Sequence, residues 1–415
     1  MEFEHLILLV GTNPLPSFVV ADYYMRKNQD LKHIWLVHSE KTKFNEGTGD
    51  YAKNVKEALE NRHPQKSAYF HFIPLSDISY AKKIIHDINQ LLIGELNENC
   101  AVHLNYTGGT KAMGIHSYLA LKAKENSLNL SFSYLDARSF RIVDDESGNT
   151  TEDLRNEVVL SFNEIIRVHG FERKNNDSTN IFAAVVSEFR NIINEGQLKE
   201  FFGFDNNKNG YNRTIFENKC ERGRLAKRVR EVNVDKVTNY IPNAVVKRIL
   251  EKFPKGYNPV GEINAISNRN FEKAIKFLDG EWFEEYIFAV LKEKLTVPKT
   301  EILNDWEIKK DDWKSYFQID VILVKGYQLS GISCTTSRKK DICKSKGFEI
   351  IQRTRQMGGE ESKAVLITLL DDGLKGAVRD DLLVDTGSST SNILVLGIED
   401  LWKDNIVNVI KEFIS

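Results

Sequence analysis

The sequence predicts an α/β protein in three parts: an N-terminal parallel-sheet domain, a helical connector and a C-terminal α/β domain. Three observations carry this reading. Compact apolar runs alternate with helical stretches over residues 1–150. A polar, turn-rich segment, DESGNTTED, ends at Asp153 and marks a boundary. Near residue 270 the pattern changes to helix, paired strands, helix and further strands. The chain has 415 residues. At ~100–200 residues per domain that is room for two or three domains.

In the first part, His5 to Val10 (HLILLV) is an apolar run stopped by Gly11, the pattern of a buried parallel strand. A helix follows near 17–27, then strands at His33 to Val37 and Ala68 to Ile73 with a helix from Ala52 to Asn61 between them. Tyr80 to Leu96 is amphipathic. Cys100 to Asn105 is a fourth strand, Thr110 to Asn126 a helix, and Leu128 to Asp136 a fifth strand. Strand–helix alternation of this kind builds a parallel, Rossmann-like sheet covered on both faces. The glycine fingerprint of dinucleotide-binding proteins is absent after the first strand.

Composition narrows the function classes. Lys plus Arg number 57 and Asp plus Glu 59, so no global positive field draws the chain onto nucleic acid. The four cysteines (Cys100, Cys220, Cys334, Cys343) contain no CxxC pair, which argues against a structural zinc site or a disulfide framework. A reducing cytoplasm is the expected compartment. The N-terminus lacks the basic region of a signal peptide, and no run approaches the ~20 apolar residues of a membrane span.

Two loops leave strand ends with chemistry suited to an anion. One is Gly11-Thr12-Asn13-Pro14-Leu15-Pro16, and the other runs from Asn105 through Tyr106, Thr107, Gly108, Gly109 and Thr110 to Lys111. In parallel α/β sheets, ligands bind beyond the carboxyl ends of the strands. Paired glycines let the backbone approach a ligand, while hydroxyls, a helix start and a lysine favour anionic oxygen. The plainer alternative is a strand-to-helix turn capped by Thr107 or Thr110, with Lys111 in solvent. The apolar first strand leading to GTNPLP, together with LNYTGGTKAMG, resembles the CRISPR-associated Rossmann fold (CARF) sensor domain. The resemblance covers residues 1–150. It implies a homodimer whose sensor domains form one pocket for a cyclic oligoadenylate, with cyclic tetra-adenylate (cA4) as the activator. On that resemblance the ligand-binding residues are Gly11, Thr12, Asn13, Asn105, Thr107, Gly108, Gly109, Thr110 and Lys111. Asp136, at the end of the fifth strand, either meets adenine or ribose or serves a turn.

Residues 151–268 read as a mainly helical connector, winged-helix-like at most, with Ser161 as a helix N-cap and a helix over Ile181 to Ile193. The segment Lys219 to Arg230 is strongly basic. It is either a nucleic-acid contact or a solvated helix face.

In residues 269–415 a helix interrupted near Asp279-Gly280 leads into a second helix bearing Glu284 and Glu285. Phe317 to Val324 and Gln328 to Cys334 are paired strands, with Asp320 among apolar neighbours. A carboxylate there is costly to bury unless it is paired or bound to a cation. A helix at Lys344 to Gln356, the turn Met357-Gly358-Gly359, and strands at Ala364 to Leu370 and Asn392 to Leu396 complete the part. The segments GEWFEEY, IDVILVKG and MGGEESKAVLIT resemble the PD-(D/E)xK restriction-endonuclease-like domain of CRISPR ancillary nucleases, which carry it behind a CARF domain.

That resemblance implies a divalent cation, Mn²⁺ or Mg²⁺, held by Glu284, Asp320 and the Cys334 backbone carbonyl. The family's Glu-x-Lys stands here as Ser333-Cys334-Thr335, a departure that removes one carboxylate and one positive charge. Ser333 and Thr335 take those positions, Lys339 or Lys340 can restore the charge, and Gln352 can orient a phosphate or base. The implied activity is metal-dependent cleavage of single-stranded RNA or DNA, switched on by cyclic oligoadenylate. The alternatives are a non-catalytic sensor with a degenerate nuclease fold, and a transcription regulator using the basic segment.

Overall fold

The computed structural model describes residues 2–415 apart from 44, 67, 175–180, 204–208, 217–233 and 311–315. Two six-stranded sheets organise it. The first contains β1 (His5–Val10), β2 (His33–Ser39), β3 (Tyr69–Leu75), β4 (Ala101–Asn105), β5 (Asn129–Asp136) and β6 (Arg141–Asp144). Their spatial order is β3-β2-β1-β4-β5-β6, all parallel except β6, which runs antiparallel to β5. Helices α1 (Leu15–Lys27), α2 (Gly49–Arg62), α3 (Ala81–Leu91) and α4 (Lys111–Lys122) make the crossovers. Strand β1 is buried at all six positions, as an apolar run at the centre of a two-faced sheet requires. The chain turns outward in both directions from the β1–β4 pair, so the topological switch point lies between their carboxyl ends.

The stretch 151–268 holds α5 (Phe162–Val168), β7 (Phe171–Lys174), α6 (Ala183–Asn194), α7 (Leu198–Phe201), α8 (Val234–Thr238) and α9 (Ala244–Leu250). Ser161 caps α5, accepting from the Glu164 amide while the Glu164 carboxylate reaches back to Ser161. Strand β7 is not a wing; it pairs with the second sheet. Helices α6, α7 and α9 bury Phe189, Phe201 and Ile249 in the core beneath that same sheet. The basic segment Lys219 to Arg230 lies outside the described residues.

The rest comprises α10 (Asn268–Lys276), α11 (Trp282–Lys294), β8 (Thr300–Lys310), β9 (Tyr316–Lys325), β10 (Gln328–Cys334), α12 (Lys340–Gly358), β11 (Lys363–Ile367), α13 (Asp372–Thr386), β12 (Ile393–Leu396) and α14 (Asn405–Ile414). The second sheet runs β12-β11-β10-β9-β8-β7, parallel from β10 to β12 and antiparallel elsewhere. The interruption expected near Asp279-Gly280 is a single π-turn, Phe277–Glu281, joining α10 to α11. One apolar core spans both domains: Leu8 and Phe18 of the first belong to the same cluster as Leu329 and Met357 of the second. No described helix is long and apolar enough to cross a membrane.

Candidate functional site

The loop after β4 is built by its own side chains. Asn105 is buried; its amide donates to Ser133 (2.9 Å) and its carbonyl oxygen accepts the Thr107 hydroxyl (2.7 Å). The Thr107 oxygen also accepts the Leu135 amide (2.6 Å). Thr110 caps α4 by accepting the Met113 amide (3.2 Å), so the expected cap is real and coexists with the glycine pair. These contacts hold Gly108, Gly109, Thr110 and an exposed Lys111 at the rim of a cleft of about 570 Å³. Tyr106, Tyr118, Ile115, Leu119 and Asp145 complete the lining. The Tyr106 hydroxyl donates to Asp145 (2.7 Å), and burial with that carboxylate pushes the phenol up. Ile115 and Leu119 expose more than half of their surface, 57% and 51%. One end of the cleft thus carries a lysine at a helix start; the other is aromatic and apolar.

The remaining sensor candidates separate. Gly11 lies against the Gly109 backbone. Thr12 and Asn13 line a different cavity, about 640 Å³, between the first domain and α12, together with Lys310, Gln352 and Arg355. Asn13 donates to Glu361 (3.2 Å) and meets His169 Nε2 through its own carbonyl oxygen (3.2 Å). Gly359 ends α12 at φ +73°, and a Cβ there would stand 2.0 Å from the Asn13 amide nitrogen, so only glycine admits this approach. Asn13 is therefore a junction between domains. We expect Asn13→Ala to destabilise the chain by about 1–3 kcal/mol, because the buried His169 loses its partner and the half-buried Glu361 loses a donor; chemical denaturation reads this. Asp136 follows its turn alternative: it accepts the Ser139 amide (3.0 Å) and hydroxyl (2.6 Å), which hold its carboxyl low, and it lines neither cavity.

The second cluster forms where β9, β10 and α11 meet. Asp320 Oδ2 accepts the Cys334 amide (2.7 Å) and the Ser333 hydroxyl (3.2 Å). Glu284 sits near enough that, after burial, Asp320 and Glu284 together push the Cys334 thiol well up. Glu285 accepts from Asn304 of β8 (3.4 Å). Ser333 and Thr335 act as scaffold: Thr335 donates its amide to Ile367 (2.9 Å) and accepts the Ser337 amide (3.2 Å). Lys340 is committed to Asp381 of α13 (3.0 Å), and Gln352 faces the interdomain cavity, so neither joins the carboxylate pair as expected. Lys339 is exposed just before α12.

Among the described residues, no group of three or more His, Cys, Asp or Glu could hold a metal ion. Two carboxylates are nonetheless a fitting set for Mg²⁺ or Mn²⁺, hard cations that keep several waters and bind through one or two carboxylates plus substrate phosphate. The sequence reading missed Tyr106, Tyr118 and Asp145. The first two stand in or beside the motif already singled out, whereas Asp145 falls in the stretch read as a domain boundary.

No family model matches the chain, and no curated protein matches it in sequence. Its fold matches solved structures along its whole length. One is Can2 from Sulfobacillus thermosulfidooxidans in complex with cyclic tetra-adenylate: TM-score 0.61, 14% identity, 100% of this chain and 97% of that one. Another is protein VC1899 from Vibrio cholerae: TM-score 0.62, 13% identity, 99% of this chain and 97% of that one. The two-domain α/β fold that the motifs implied, a parallel-sheet domain followed by a mixed-sheet domain, is thus the fold this chain shares with Can2.

Proposed function

We propose that this protein is a cyclic-oligoadenylate-activated, metal-dependent nuclease of type III CRISPR defence, working as a homodimer in the cytoplasm on single-stranded RNA or DNA. The observation that carries the sensor half is the cleft beyond the carboxyl end of β4, whose glycine pair, helix start and Lys111 suit a phosphate and whose aromatic wall suits a base. The fold is shared with Can2, a protein solved with cA4 bound. The exposed Ile115 and Leu119 beside the cleft suit burial against a second copy, which would close the pocket over a ring-shaped ligand.

For the nuclease half, Glu284 and Asp320 would hold the cation, which makes water nucleophilic and neutralises charge on the phosphate. The Cys334 amide and Ser333 hydroxyl fix the rotamer of Asp320, and Asn304 donates to Glu285, the residue after Glu284. Binding is proposed to reach this site through the loop after β1, which touches Gly109 on one side and Glu361 and Gly359 on the other. α12 runs from that junction back to Lys340, five residues beyond Thr335.

One observation favours a second reading, a sensor whose nuclease fold only binds: Ser333-Cys334-Thr335 supplies no carboxylate or lysine, and Lys340 is paired elsewhere. Isothermal titration with cA4 tests the sensor half. Lys111→Ala is expected to weaken binding by about tenfold or more, the size of a charge-assisted contact to phosphate. Unchanged affinity would remove Lys111 from the ligand site. Asn13→Ala, by contrast, is expected to leave affinity within about threefold while weakening the coupling of cA4 to cleavage, since Asn13 lines the interdomain cavity and not the cleft.

A further inference from the structure

We infer that Thr336 is a positioning residue for the carboxylate pair: its hydroxyl ties the end of β10 to the π-turn that aims Glu284. The inference rests on the metal-dependent nuclease reading above. The π-turn Phe277–Glu281 closes a wider loop than an α-turn and so breaks the regular ladder just before α11 begins. Two contacts meet at Asp279 inside it. The Thr336 hydroxyl donates to the Asp279 backbone carbonyl (2.8 Å), and the Tyr211 hydroxyl donates to the Asp279 carboxylate (2.7 Å).

Thr336 lies two residues past Cys334, whose amide holds Asp320 (2.7 Å). Glu284 lies in the first turn of α11, five residues past Asp279. The end of β10 is therefore the common anchor: one side fixes Asp320, the other fixes the turn that sets the rotation of the helix carrying Glu284. A single extra residue in a helix rotates everything after it, so an unfastened π-turn that relaxed to α-geometry would swing Glu284 off the β10 end. π-turns are frequent at functional sites. Tyr211 is buried, and its hydroxyl gives the turn a second fastening from the segment before α8.

The test is Mn²⁺ binding by isothermal titration to the full chain with cA4 present, in the parent and in Thr336→Val, Thr336→Ser and Tyr211→Phe. Thr336→Val is expected to weaken Mn²⁺ about tenfold, the usual size for a group supporting metal ligands, with Thr336→Ser restoring it. The affinity for cA4 is expected to be unchanged in all of them. In cleavage, the half-saturating Mn²⁺ concentration rises while the rate at saturating Mn²⁺ changes little. Parent-like Mn²⁺ binding in Thr336→Val overturns the inference; should that variant fail to fold, parent-like binding in Tyr211→Phe does so. A parent chain that binds no Mn²⁺ overturns the nuclease reading and the inference with it, and is distinguished by failing before any variant is compared.

Discussion

Asp320→Ala is expected to lower metal-dependent cleavage by at least ~10²-fold while cA4 affinity stays within about twofold. The reasoning is local. Asp320 is one of two carboxylates at the end of β10, and no third acidic, histidine or cysteine ligand joins them in a metal-holding group among the described residues. Losing one of two charges leaves too little to hold a hard cation against water. Alanine also strands the Cys334 amide, whose partner is Asp320 Oδ2, so a fold defect could imitate a catalytic one. Asp320→Asn separates the two: it keeps an oxygen for that amide and removes only the charge. Both variants dead and both folded, by circular dichroism and cA4 titration, is the expected result. An active Asp320→Asn would mean that the charge is dispensable and the cation is held elsewhere.

Gly108→Ala is expected to be the most damaging single methyl in the sensor domain. A Cβ at this position would stand 1.9 Å from the Leu9 carbonyl oxygen and 3.1 Å from its carbon, backbone atoms of the central strand that cannot swing aside. The loop must lift off β1, taking with it the Thr107 contacts to Asn105 and Leu135. A cost of about 1–3 kcal/mol or more follows, the usual size when added bulk forces the backbone to shift. The affinity for cA4 is expected to fall by about 10²-fold, because the Gly109 to Lys111 rim moves with the loop. Denaturation and titration together check this. A variant of parental stability would show that the loop tolerates displacement from β1.

Much of the fold was legible because the pattern and the packing agree. HLILLV is apolar without alternation because β1 is covered on both faces, and the reading of it as a buried strand matches burial at every position. Ser161 and Glu164 announce the start of α5 by a reciprocal cap that sequence alone displays. The elements overlooked have physical reasons. β8, TEILNDWEIKK, interleaves charges with its apolar residues and reads as a solvated stretch until β7 and β9 pair with it. α13 begins Asp-Gly-Leu-Lys-Gly, two glycines that lower helix propensity and suggest a turn; Asp371 overrides them by capping the Leu374 amide (2.9 Å).

The candidate sites were legible in composition but not in direction. The glycine-rich motif falls where β4 ends, as parallel-sheet logic requires, whereas Asp320 sits in mid-strand on the antiparallel β9 and meets the end of β10 through the Cys334 amide. Which way Asn13 faces depends on a turn more than three hundred residues away, since its partner Glu361 is separated by 348 positions. No local pattern carries that information. Asp136 and Lys340 find partners that their local pattern does not announce: a serine three residues on and an aspartate on a neighbouring helix.

The most direct test is cleavage of labelled single-stranded RNA and DNA by the full chain under four conditions, with and without cA4 and with and without Mn²⁺. Cleavage only when both are present is the predicted result, and it would establish that Ser333-Cys334-Thr335 serves in place of Glu-x-Lys. No cleavage in any condition, with tight cA4 binding measured in parallel, would contradict the nuclease reading and leave a sensor whose output is binding.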